Sequence, residues 1–126
     1  MNLEKVVFGF FILLAATLNF SFVYGDVDAP ELHDAFELFS AVVVTLVATV
    51  LKFGDRTHIG AVHLSASLVA LLQLAAATVV WVMAQNAGGG LTPVATARVV
   101  SLAAGALVAN GVSVVIMVIE TTMQRR

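Results

Sequence analysis

Four residues in one short acidic stretch, Glu31, His33, Asp34 and Glu37, have the types and spacing to hold a divalent cation. His33 and Glu37 stand four apart, so one helical turn brings them to a common face, and Glu31 and Asp34 add carboxylate oxygens close by. The stretch lacks the central glycine and terminal glutamate of an EF-hand loop, and a solvated helix start is the plainer reading. A second set, His63, Gln73 and Asn110, is polar in apolar surroundings. A histidine there can relay protons, because imidazole titrates near neutrality, and two amides can line a constriction for an ion or for water. Structural hydrogen bonds inside a helical bundle serve as well. Arg98 is a third candidate: it either pairs with Glu37 or Asp34 or extends towards lipid phosphate.

Several chemistries are absent. There is no cysteine, hence no thiol nucleophile, disulfide, zinc thiolate or iron–sulfur cluster. No nucleophile–base pair and no metal motif stands in the apolar segments, which argues against an enzyme. His33, His58 and His63 fall at different levels of the chain, and a lone His63–Met117 pair is a weak haem signal, so no cofactor is expected. The formal net charge of −2 is too small and too scattered for nucleic-acid binding.

The elements that must position these residues follow from hydropathy. Of 126 residues, 60% are hydrophobic and 11% charged, and the mean hydropathy is +1.03. A soluble domain of this size has too much surface for its volume to hide that much apolar area, so lipid is the expected solvent. Apolar spans run over about 5–24, 36–53, 61–84 and 97–119, each near the ~20 residues needed to cross a hydrocarbon core. Between them lie an acidic loop at 25–35, a turn at 54–60 and a glycine-rich loop at 85–92. A cleavable signal peptide competes for the first span, with Lys5 as its basic end and Val23-Tyr24-Gly25 as its cleavage site. Glu4, the length of the run and the aromatic anchors Phe20, Phe22 and Tyr24 favour a retained helix. Asp28, Pro30 and Glu31 read as a helix start, Gly54 as a C-terminal cap, Asp55 as the residue receiving the next helix, and Thr92-Pro93 as another start.

Charge then sets orientation. Lys5, Lys52, Arg56, Arg125 and Arg126 fall on one side, and Arg98 alone on the other. The positive-inside rule puts both termini and the central turn in the cytoplasm, with Lys52, Arg56, Arg125 and Arg126 as topology anchors facing anionic headgroups. The expected fold is therefore all-α: a four-helix membrane bundle of two antiparallel hairpins, seated in a bacterial inner membrane. In lipid, helices meet through small residues. Ser101, Gly105, Ala109 and Ser113 make such a stripe on the fourth span, and Ala41, Thr45 and Thr49 a shorter one on the second. These two faces are expected to pack against each other.

A set of short segments carries a resemblance: Gly25 to His33, Glu37-Leu38-Phe39, Leu51 to Thr57, Ile59 to Val62, Ser67 to Ala70, and Leu72-Gln73-Leu74. Together they resemble a family of small uncharacterised proteins of the proteobacterial inner membrane, over roughly residues 1–85 and more weakly in the last span. The resemblance implies a location and brings no activity and no catalytic residue. Two functions remain open. One is a non-enzymatic accessory or self-associating subunit, with the bilayer, a second copy or another membrane protein as partner. The other is a small oligomeric cation or proton conductor with an acidic outer mouth.

Overall fold

The computed structural model describes residues 3–26, 29–54, 57–88 and 90–124. Asp28 and Asp55, and the anchors Arg56, Arg125 and Arg126, lie outside the described residues. The described chain is all-helical: α1 spans Leu3–Val23, α2 Ala35–Lys52, α3 His58–Gln85 and α4 Pro93–Gln124, with a single 3-10 turn at Pro30–Leu32. All four helices have the length and hydropathy to cross a membrane.

Local chemistry sets the ends. After α1 the chain turns at Gly25, whose φ of 108° suits a residue without a Cβ. α2 is capped by Asp34, whose carboxylate accepts the Phe36 amide at 3.0 Å. The helix start expected at Asp28, Pro30 and Glu31 is therefore displaced. Proline pre-sets φ there, but its turn is 3-10 and stops at Leu32, because the cap that starts α2 stands two residues beyond it. Nor does Gly54 cap α2 in a left-handed conformation: the helix closes through Phe53, in the αR region, whose amide donates to Val50 O at 3.2 Å. Thr57 receives α3, its hydroxyl accepting the Gly60 amide at 2.9 Å. Thr92 starts α4 in the same way, accepting Ala95 N at 3.1 Å. Gly88 and Gly90 carry the reversal before α4 at φ of 84° and 71°.

The helices stand in a ring in which α1 packs on α2, α2 on α3, α3 on α4, and α4 back on α1. α2 and α4 therefore face each other across the diagonal, and the expected seam between them is replaced by an α3–α4 contact. An ideal Cβ on Gly105 would lie 2.8 Å from Gln73 Oε1 of α3. The four-residue stripe also turns out of the core. Each step of four advances about 40° beyond a full circle, so Ser113 and Ala109 are buried, Gly105 is half-buried and Ser101 is exposed. On α2 the residues Ala41, Thr45 and Thr49 are all buried.

The core divides along its length. At the end that holds His33, one cluster gathers Phe22, Leu38, Leu74, Trp81, Val99 and Val100 with several alanines. At the opposite end, called here the lysine end, a smaller cluster holds Phe8, Ile12 and Ala48. The outside is apolar on every helix: Phe10, Leu13, Val43, Leu46, Leu72, Val79, Val108 and Val112 are all exposed.

Candidate functional site

Three helix ends build the lysine end. Lys5 and Phe8 come from the first turns of α1, Lys52 from the last residue of α2, and Met117 and Glu120 from the last turns of α4. His63 joins them from the second turn of α3. Lys5 Nζ meets Glu120 Oε2 at 3.1 Å, closing α1 onto α4. With 41% of the Lys5 side chain exposed, that pair contributes only ~0–1 kcal/mol to stability. Lys52 is 6% exposed and lays its Nζ 4.2 Å from the Phe8 ring centroid. Read from sequence as an anchor facing headgroups, it is instead folded back over an aromatic face. The same ring meets His63 in an edge-type contact, centroids 4.9 Å apart at 65°, and His63 is 1% exposed. Met117 fills the space beside Gly9, its Sδ 3.1 Å from where a Cβ would stand. Lys5, Lys52, His63, Met117 and Glu120 border a cavity of about 210 Å³ with Val6, Phe8 and Thr121.

Inward from this cavity the core is polar. Ser67 lies one turn beyond His63, Ser113 and Asn110 one and two turns beyond Met117, and Thr49 and Thr45 one and two turns beyond Lys52. All are buried, as is Asn19, three turns beyond Phe8 on α1. The Thr49 hydroxyl donates to Thr45 O at 2.8 Å. The side chains of Asn19, Thr45, Ser67, Asn110 and Ser113 have no hydrogen-bond partner among the described residues. Buried polar atoms cost free energy when left dry, so such a group is the usual lodging of ordered internal water. Of the intramembrane polar residues expected from sequence, His63 and Asn110 join this set. Gln73 does not: it is half-buried and lies against Gly105. Asn19 was missed, although Phe8, Ile12, Ala15, Asn19 and Phe22 recur at helical spacing and mark one face of α1.

At the other end three of the four candidate cation ligands are engaged in other contacts. His33 is 4% exposed, with Nδ1 2.5 Å from Phe22 O and Nε2 2.7 Å from Asp26 O. Asp34 caps α2, and Glu37 accepts a hydrogen bond from Ser21 of α1. Glu31 stays exposed on the 3-10 turn. Among the described residues no three His, Cys, Asp or Glu side chains converge. Arg98 is exposed and does not reach Glu37, because the ring order sets α4 diagonal to α2 and hands Glu37 to α1. His33 is thus a clasp holding the α1–α2 connection to the end of α1. His33→Ala is expected to cost about 1–3 kcal/mol, because it removes the ring that bridges a buried and a part-buried backbone carbonyl, and to speed amide exchange between Tyr24 and Asp34 while leaving α3 and α4 protected.

An all-helical bundle of four membrane-length apolar helices, dry at one end and polar with a charged cavity at the other, is the class of protein these features define. Within that class, the chain belongs to a family of unknown function, DUF6394, whose profile matches residues 32–121. The match runs from the last residue of the 3-10 turn through α2, α3 and nearly all of α4, so the family signal is carried by the last helix too, where the sequence resemblance is weaker. Searches of curated proteins and of solved structures each find no match.

Proposed function

We propose that the chain is an integral membrane protein, its four helices all crossing a bacterial inner membrane, and that it acts as a non-enzymatic accessory or self-associating subunit. The observation that carries this reading is a reversed distribution of polarity. Phe10, Leu46, Leu72 and Val108 point outward, while Asn19, Thr45, Ser67, Asn110 and Ser113 point inward. In water that arrangement loses on both counts; in hydrocarbon it gains on both. Lys5 and Lys52 share one end, and the sequence carries Arg56, Arg125 and Arg126 in the segments that follow α2 and α4, so the positive-inside rule favours cytoplasmic termini.

The absence of cysteine makes the test direct. In intact cells, Asn86→Cys is expected to react with a membrane-impermeant maleimide, and Thr57→Cys only after permeabilisation. The opposite pattern overturns the orientation, and loss of the chain from carbonate-washed membranes overturns the insertion. Crosslinking in native membranes is expected to give a discrete product, either a second copy or one membrane partner; a smear or no product counts against the accessory role.

A conductor of protons or cations is the second reading, favoured by the polar stretch from His63 to Asn110. Against it stands the other half of the core, where Phe22, Leu38, Leu74, Trp81, Val99 and Val100 form a dry apolar cluster across the ring. Purified protein in liposomes is expected to carry no flux. Flux that disappears with Asn110→Leu, in a variant that still folds, would install the conductor in its place.

A further inference from the structure

We infer that His33 is a proton-locked clasp on the α1–α2 connection. Doubly protonated, the ring pins that connection to the end of α1; loss of one proton frees its Asp26 side. The clasp does not depend on how the bundle is inserted. Only the compartment whose pH it reads depends on the orientation proposed above, under which this end faces away from the cytoplasm.

Donors and acceptors decide the protonation state. His33 Nδ1 stands 2.5 Å from Phe22 O, and Nε2 stands 2.7 Å from Asp26 O. A carbonyl oxygen carries no hydrogen, so each contact needs an N–H from the ring. Neutral imidazole has a single N–H, and its other nitrogen would turn a lone pair onto a carbonyl lone pair. Imidazolium has two N–H groups and satisfies both contacts at once. The backbone amide of the same residue donates to Pro30 O at 3.3 Å, so three bonds from His33 hold the connection closed.

Burial disfavours a charge, and the place of the ring offsets this. Phe22 is the penultimate residue of α1, so its carbonyl is among those the helix leaves unpaired, at the negative end of the helix dipole. Both contacts become charge-assisted bonds once the ring is protonated. The sequence from Gly25 to Glu37 holds Asp26, Asp28, Glu31, Asp34 and Glu37 and no basic residue. Asp34 bonds Phe36 N and Glu37 bonds Ser21, while Asp26 and Glu31 are exposed; Asp28 lies outside the described residues. Tyr24, just past α1, is exposed, as is Arg98 on α4. α3 ends here with Trp81 to Gln85, none of them ionisable. None of these charges is needed to place the ring hydrogens, which the two carbonyls place by themselves.

The two bonds are unequal. The contact with Phe22 O is buried, and the contact with Asp26 O is part-buried. When the ring loses a proton, the Asp26 carbonyl can turn to water and the Phe22 carbonyl cannot. Nδ1 therefore keeps its hydrogen and Nε2 gives its own up. Gly25, at a φ of 108°, is the pivot about which the Asp26 peptide moves. The clasp is complete at low pH and opens as the pH rises.

The test is nitrogen NMR of the histidine rings in the purified full chain in neutral detergent. It runs between about pH 5.5 and 8.5, around the ordinary imidazole value of about 6.5, with ordinary carboxylates and phenols titrating outside that window at about 4 and 10. The His33 signals are identified by contact with the Phe22 ring and by their loss in His33→Gln. Both His33 nitrogens are expected to carry hydrogen at the acid end, and Nδ1 alone at the alkaline end. Thermal unfolding over the same range gives a second readout. The wild-type midpoint is expected to fall by several degrees more than that of His33→Gln, whose side-chain amide donates at every pH. His58 and His63 are common to both chains and cancel in the comparison. One hydrogen-bearing nitrogen at every pH, two at every pH, or a His33→Gln midpoint that falls as far as the wild type's overturns the clasp. Should His33→Gln fail to fold, the Phe22 contact still identifies the ring, and the nitrogen spectra decide alone. A reversed labelling pattern at Asn86→Cys would change the compartment sensed and leave the clasp standing.

Discussion

Replacing Phe22 by alanine is expected to lower the stability of the bundle in detergent by about 3 kcal/mol, the low end for a buried phenylalanine truncated to alanine. The low end applies because helices in hydrocarbon gain little from apolar transfer and lose mainly packing when a side chain is cut back. Phe22 is fully buried, 6.0 Å from Trp81 of α3 and 5.6 Å from the His33 ring. It is also where α1 meets the clasp, since its carbonyl receives His33 Nδ1. Truncation opens a cavity at the junction of α1, α3 and the connecting loop and loosens the ring that holds the loop. Denaturant titration read by Trp81 fluorescence measures it, since the indole borders the new cavity. Phe10→Ala, on a residue 60% exposed, is the matched control and is expected to change stability by less than about 0.5 kcal/mol. Equal effects at the two positions would mean that the α1 face in contact with the bundle has been misplaced.

Gly105→Leu is expected to be as damaging, by overfilling instead of emptying. The first carbon added at Gly105 already falls 2.8 Å from Gln73 Oε1 and 3.0 Å from its Cδ. The Gln73 amide can swing aside for one methyl but not for a branched chain, which must part α3 from α4. Overpacking typically costs 1–3 kcal/mol and sometimes more, and about 3 kcal/mol is expected here because the strain falls on the most extensive helix contact of the ring. A paired design isolates the cause. Gly105→Ala alone should destabilise by about 1 kcal/mol as Gln73 is pushed away. In a Gln73→Ala background the same change should become stabilising by about 0.5–1 kcal/mol, because alanine is the better helix former once the clash is gone. If Gly105→Ala costs the same in both backgrounds, the contact with Gln73 is not what makes glycine necessary.

The Gln73–Gly105 contact also shows how far the sequence could be read. Four apolar stretches, their loops and the helix-starting Thr92 are local features, decided by composition and by side-chain bonds to neighbouring amides. The helix-start signature at Pro30 was a local feature too, yet it failed, because Asp34 offered a competing cap four residues later. The order of helices in the ring is not local. Gly105 was recognisable as a packing residue, but nothing in its own segment says that the partner is Gln73 on α3 instead of Thr45 on α2. The charged end was the least legible part. Lys5 and Glu120 lie 115 residues apart, and Lys52 reads as a solvent-facing lysine until Phe8 is found beneath it. Asn19 could have been found by extending the spacing of Phe8, Ile12 and Ala15 one step along α1.

The division of the core into a dry half and a polar half has an electrical consequence. In a polarised bilayer the potential falls where the dielectric constant is low. The half around Phe22, Leu74, Trp81 and Val99 is mainly apolar, with His33 and Thr96 among its buried residues, whereas the half from Asn110 to Lys52 holds more polar groups that water can solvate. Most of the voltage therefore drops across the half nearer His33, and the group at Lys52, His63 and Glu120 lies close to the potential of its own side. A full crossing of the field is worth about 2.3 kcal/mol per charge per 100 mV, but a charge arriving in the lysine-end cavity crosses only a small part of it.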